Sequence, residues 1–137
     1  MKRFLFPFVL LVWALVLAGC AGKAMNQPVT SLSVELSDFK FTPDKYAIAA
    51  GQQIMLTLNN KGTVAHEFVI IKKGEQVTLP FDADDEDKVY WEHEVEPGNT
   101  ETVTFTAPLE PGEYEVICGI PGHLEAGMKA TLTVASP

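Results

Sequence analysis

From Ser31 onward, apolar and polar residues alternate in short runs, and turn residues interrupt them roughly every eight to twelve positions. SLSVEL (31–36) reads as a strand. FKFT (39–42) follows as a short extended piece, with a turn at Pro43-Asp44. Further strands are expected at 46–49 and 53–58, separated by a turn at Gly51-Gln52. NNKG (59–62) is a turn, and HEFVII (66–71) is the next strand. TETVTFT (100–106), GEYEVIC (112–118) and MKATLTV (128–134) complete the set. No segment offers an amphipathic helix of three turns, and no repeat is present. Short strands at this spacing predict an all-β sandwich. The segment 74–100 is the least regular.

The first residues follow a different pattern. Lys2 and Arg3 precede an almost unbroken apolar run, Phe4 to Ala18. That run is shorter than the roughly 20 residues of a membrane-spanning helix and has the layout of a secretory signal. It closes on LAGC, Leu17 to Cys20, which resembles the lipobox of bacterial lipoproteins. The resemblance implies cleavage before Cys20 and lipidation of that residue. Residues 1–19 are then a signal peptide, 20–30 the lipidated Cys and a flexible tether, and 31–137 the domain. An uncleaved signal anchor is the plainer alternative. Ala21 follows the Cys, so the Asp that retains some lipoproteins at the inner membrane is absent. The expected location is the bacterial cell envelope, with the domain facing the periplasm or exterior on a lipid anchor.

Cleavage removes two of the ten basic residues and none of the 18 acidic ones, leaving 8 minus 18, or −10. Such a charge excludes nucleic acid as a partner, because the phosphate backbone demands a basic face. It suits a soluble domain that attracts cations or basic proteins. Five of the acidic residues, Asp82, Asp84, Asp85, Glu86 and Asp87, crowd six positions. The ordinary reading is a solvated loop; the sharper ones are a docking patch for a basic partner or a loop that gathers metal ions. A monomer is expected.

With Cys20 committed to lipid, Cys118 is a lone thiol in a secreted chain, and needs an explanation. Alone, it would read as an inert buried Cys. In VICGIPGHLEAGM, however, Cys118, His123 and Met128 stand at steps of five. Steps of five fit no helix face, and Pro121, Gly119, Gly122 and Gly127 fit no strand. In the strand alternation Cys118 continues the face of Tyr114 and Val116, and Met128 that of Ala130, Leu132 and Val134. His66 shares a face with Phe68 and Ile70. A thiolate, two imidazoles and a weak axial thioether form the ligand set of an electron-transfer copper site.

His66 followed by C-x4-H-x4-M at Cys118, His123 and Met128 resembles the blue-copper (cupredoxin) family. The loop spacing is similar to that of auracyanin and rusticyanin, and differs from the shorter loops of plastocyanin and amicyanin. NKGTVAHEFVI and CGIPGHLEAGM resemble the two ligand segments of bacterial cupredoxin-like domains, the latter including forms linked to copper tolerance. The resemblance spans about residues 31–137. It implies a Greek-key β-sandwich of about seven to eight strands, with one Cu(I)/Cu(II) ion held by His66, Cys118, His123 and Met128. It also implies that His123 reaches the surface amid Ile120, Pro121 and Leu124, as the electron exit. Glu67 departs from the Asn that often follows the first ligand, so the hydrogen bonds around the site and its potential differ.

These features imply a lipid-tethered single-electron carrier, not an enzyme, whose partners are redox proteins such as cytochromes or oxidases. The alternative is a copper-binding protein for tolerance, sequestration or delivery, meeting copper-handling proteins. A multicopper enzyme needs more His than the three present, and a binuclear copper centre needs two Cys in the ligand loop. Zinc fits the ligand types less well, because Met is a poor zinc ligand. HEFVI lacks the second His of the zinc-protease motif. His93 matches no ligand position; it reads as solvent-exposed, or as part of a secondary cation site with Glu92 and Glu94.

Overall fold

The alternation seen in the sequence is resolved into two sheets whose apolar faces meet. The computed structural model describes residues 27–137. The expected signal segment, Cys20 and the expected tether as far as residue 26 therefore lie outside the described residues. The strands are β1 (Ser31–Ser37), β2 (Lys40–Thr42), β3 (Lys45–Ala49), β4 (Gln53–Asn60), β5 (His66–Ile71), β6 (Val89–Val95), β7 (Thr100–Thr106), β8 (Gly112–Ile117) and β9 (Lys129–Ala135). One sheet has the order β2-β1-β4-β7, the other β3-β9-β8-β5-β6. Each is mixed: β1 runs parallel to β4 and β3 parallel to β9, and the other pairs are antiparallel. The sandwich engages the chain before β1, since Val29 N–H donates to Ala47 O and Thr30 O accepts from Met55 N–H. Among the described residues no helix is long and apolar enough to cross a membrane.

Alternate residues fill the space between the sheets. Leu32, Val34 and Leu36 of β1 and Leu56 and Leu58 of β4 face Phe68 and Ile70 of β5, Val116 of β8, and Leu132 and Val134 of β9. Phe68 lies at the centre, with Phe41 edge-on and Tyr46 tilted, each 5.7 Å away between ring centroids. Burying a side chain of this size contributes roughly 1.5–3 kcal/mol, which pins β5 in the middle of the core.

Nine strands are observed, and the additions have physical causes. β2 is the short extended piece, paired to β1. β6 falls within the segment read as irregular. Its sequence alternates, but Glu92 and Glu94 occupy one face, and the other face, with Trp91 and His93, is only half-buried. An edge strand lying beside β5 alone carries a weak apolar signal.

The rest of that segment covers the outer face of the five-stranded sheet. Val69, Ile71, Ile117 and Leu124 form a second apolar cluster there, roofed by Val77, Phe81 and Val89. The acidic run folds as a 3-10 helix, Ala83–Lys88, with Asp82 capping it by accepting from Asp84 N–H at 2.9 Å. Asp85 is not on a docking patch: it is buried, accepting from Thr78 N–H and Oγ1–H (2.9 Å) and from Lys88 Nζ (2.7 Å). Asp82, Asp84, Glu86 and Asp87 are exposed, whereas Asp85 is an internal clasp for the cover.

Candidate metal centre

Three strand ends meet at one end of the five-stranded sheet. His66 opens β5, Cys118 directly follows β8, and Met128 directly precedes β9. The antiparallel pairing of β8 with both β5 and β9 places those ends together. The loop from Cys118 to Met128 is closed by backbone hydrogen bonds from Cys118 N to Met128 O (3.2 Å) and from Met128 N to His123 O (2.9 Å). Gly122 and Gly127 carry its turns at positive φ of 86° and 94°, which side chains disfavour.

Within this frame the His66 and His123 Nδ1 atoms lie 3.1 Å apart. Cys118 Sγ is 3.3 Å from His123 Nδ1 and 3.8 Å from His66 Nδ1. All three residues are buried, and among the described residues they form the cluster of potential metal donors. Around a first-row ion, nitrogen ligands stand at about 2.0–2.1 Å and thiolate sulfur at about 2.3 Å. Two nitrogens and a sulfur at those radii have mutual spacings like the ones observed, so the triangle fits one ion. Met128 is fully buried beside them.

The electrostatics point the same way. Burial pushes the Cys118 thiol above its ordinary range, opposed by the backbone N–H groups of Glu67 and Ile120. Burial also lowers the basicity of His66, helped by the proximity of His123. A neutral imidazole at His66 is a ready ligand, and a bound metal would supply the positive charge that stabilises the Cys118 thiolate.

The surroundings hold this geometry. Glu67 N–H donates to Cys118 Sγ at 3.4 Å, a contact the backbone makes whatever the side chain. The Glu67 carboxyl lies against Gly119, and burial together with Glu92, Glu94 and Glu86 raises it. Asn60, fully buried, donates from Nδ2 to Val64 O and Val95 O and accepts from Gly62 N–H, fixing the turn that leads into His66. Gly62 packs so closely that a Cβ there would stand 2.6 Å from Asp38 Oδ1 and would also strike the His66 ring.

One expectation about the rim is corrected. Leu124 is buried in the outer apolar cluster. Ile120 is half-buried, with part of its side chain against the main core, and Pro121 is exposed. The ring that does cover His123 is Phe39, edge-on at 5.2 Å and 51% exposed. Phe39 adopts a positive φ of 64°, a strained conformation for a non-glycine residue. Nothing in the alternation of DFKF marks it.

His93 is also not a free surface residue. Its Nε2 lies 2.8 Å from Glu101 Oε2, and its ring stacks on Trp91. Its carboxylate partner is Glu101, not Glu92 or Glu94.

The model for the cupredoxin-like domain matches residues 7–134. The chain belongs to the cupredoxin-like family. Auracyanin-B of Chloroflexus aurantiacus is 34% identical over 90 residues, 56% of this chain and 37% of that protein. The matched stretch thus spans little more than a third of that relative's length. Among solved structures, dithionite-reduced auracyanin of Roseiflexus castenholzii is 30% identical, covers 80% of this chain and 99% of its own, and has a TM-score of 0.67. Auracyanin A of Chloroflexus aurantiacus, a blue copper protein, is 25% identical, with 77% and 99% coverage and a TM-score of 0.60. In this cupredoxin, His66, Cys118, His123 and Met128 are arranged as a type 1 copper site, whose cofactor is one copper ion.

Proposed function

We propose that this cupredoxin is a single-electron carrier, tethered by a lipid on Cys20 outside the cytoplasmic membrane of a bacterial cell. The observation that carries the reading is the buried triangle of two imidazole nitrogens and one thiol sulfur, at a sheet end fixed by backbone hydrogen bonds. His66, Cys118 and His123 would hold the ion, with Met128 as the weak fourth ligand. Bound copper supplies a one-electron Cu(I)/Cu(II) couple. The protein's own contribution is to keep the ligand positions fixed and water excluded, so that little rearranges when charge changes. His123, 7% exposed against 0% for His66 and Cys118, is the ligand nearest the surface. With Phe39 it would form the place where a redox protein docks and the electron passes.

LAGC supports the tether. Each buried CH₂ of an acyl chain adds about 0.8 kcal/mol, and stable anchoring takes more than one chain.

Two measurements test this reading. The copper form should cycle reversibly in a redox titration and keep its metal against a Cu(I) chelator over many cycles; rapid loss to the chelator would support copper handling instead. Labelled palmitate should enter the wild-type protein expressed in bacteria and not Cys20→Ser. Equal labelling, or none in either, would refute the tether.

A further inference from the structure

His66 directs one ring nitrogen at the donor triangle and the other toward the turn between β4 and β5. With Nδ1 committed to the metal, Nε2 must carry the proton and act as a donor. That Nε2 is buried and lacks a hydrogen-bond partner of ordinary geometry. The charged group facing it is Asp38, in the turn between β1 and β2, whose Oδ1 lies 3.5 Å away.

We propose that Asp38 is a positioning residue for the copper centre, its carboxylate facing the N–H of His66 Nε2 and favouring the oxidised metal over the reduced one. The inference rests on the copper-carrier reading above. Three features carry it. Asp38 is fixed independently of His66: Thr63 N–H donates to Oδ1 at 3.0 Å, and Thr63 Oγ1–H donates to Oδ2 at 3.2 Å. Gly62 lies over both groups, and any side chain there would force them apart. The separation is at the long edge of hydrogen bonding, yet electrostatic attraction acts at that range.

The direction follows from charge. Cu(II) carries one positive charge more than Cu(I), and a carboxylate acting through the imidazole stabilises the more charged state. Asp38 therefore lowers the reduction potential. Loss of such a partner costs about 10- to 100-fold in metal affinity. The Asp38 side chain is 43% exposed, so solvent screens it and the lower end applies. A tenfold change in Cu(II) over Cu(I) affinity corresponds to about 59 mV for one electron.

The test uses copper-loaded wild-type protein, Asp38→Asn and Asp38→Glu. Asn keeps the size and the Oδ1 acceptor for Thr63 N–H, removes the charge, and puts an NH2 group opposite the Thr63 hydroxyl, which can accept from it. The expected result is an unchanged blue band with a potential higher by about a tenfold equivalent in Asp38→Asn, partly restored in Asp38→Glu. In the diamagnetic Cu(I) form, the His66 Nε2 proton should exchange faster with water in Asp38→Asn. A wild-type potential in Asp38→Asn, with or without a lower melting temperature, would assign Asp38 to loop structure alone and overturn the proposal. Wild-type protein without a blue band would instead remove the copper-carrier reading itself, and this inference with it.

Discussion

Asn60 gives the sharpest link between folding energy and the metal site. It ends β4 with its side chain fully buried, and its amide makes three hydrogen bonds: Nδ2 to Val64 O (2.9 Å), Nδ2 to Val95 O (2.8 Å) and Gly62 N to Oδ1 (2.8 Å). These tie the turn before His66 to the end of β6. Asn60→Ala deletes all three. At about 1 kcal/mol of net stability per bond, the loss is roughly 3 kcal/mol, more if the Val95 carbonyl finds no water. For a domain of this size that lowers the melting temperature by roughly 10–20 °C. Asn60→Asp keeps the shape but turns oxygen toward two carbonyls in a dry site, so at neutral pH it should be worse than Ala. Urea unfolding of the copper-free proteins by circular dichroism measures both, with an unchanged m-value as the check on two-state behaviour. A loss below about 1 kcal/mol for Asn60→Ala, or an Asn60→Asp protein as stable as wild type, would refute the clasp.

Other substitutions probe separate parts of the structure. Gly62→Ala drives a methyl group between Asp38 and His66 and should lower stability while raising the reduction potential, read by urea titration and redox titration. Met128→Leu should keep the blue colour and raise the potential by an amount on the order of the 59 mV that accompanies a tenfold change; a colourless variant would contradict a weak axial role. Lys88 and Thr78 hold the Asp85 carboxyl at about 2, below its ordinary 3.8. A depressed carboxylate stabilises the fold above its unfolded pKa, so that contribution should disappear as pH falls from about 3.8 through about 2. Acid unfolding curves should show this loss in wild type and not in Asp85→Asn.

The parts of the fold visible in the sequence are those where one side chain answers to one neighbour on a pleated face. Tyr114, Val116 and Cys118 alternate inward, as do Met128, Ala130, Leu132 and Val134, and all are buried as the period of two requires. His66 could be paired with Cys118 through the spacing of the ligand loop and the family resemblance. What escaped detection depends on contacts between distant segments. β6 is half-buried at a sheet edge, so its alternation mixes Glu, His and Trp. Asp85 looked solvated because a run of carboxylates gives no sign that Thr78 and Lys88 enclose one of them. Phe39 lies over His123 through a positive φ, and Leu124 turns outward because residues 74–89 build a roof for it. Asp38 stands 28 positions before His66, and only the pairing of β1 with β4 brings it there.

The central claim, that His66, Cys118, His123 and Met128 hold one copper ion through a sulfur–copper bond, is tested most directly by the visible and EPR spectra of the Cu(II)-loaded protein beside Cys118→Ser. An intense thiolate-to-copper absorption band with narrow copper hyperfine splitting is predicted in the wild type, and its loss in Cys118→Ser. A pale spectrum of ordinary Cu(II) in the wild type, or a Cys118→Ser protein that stays strongly blue, would contradict the assignment.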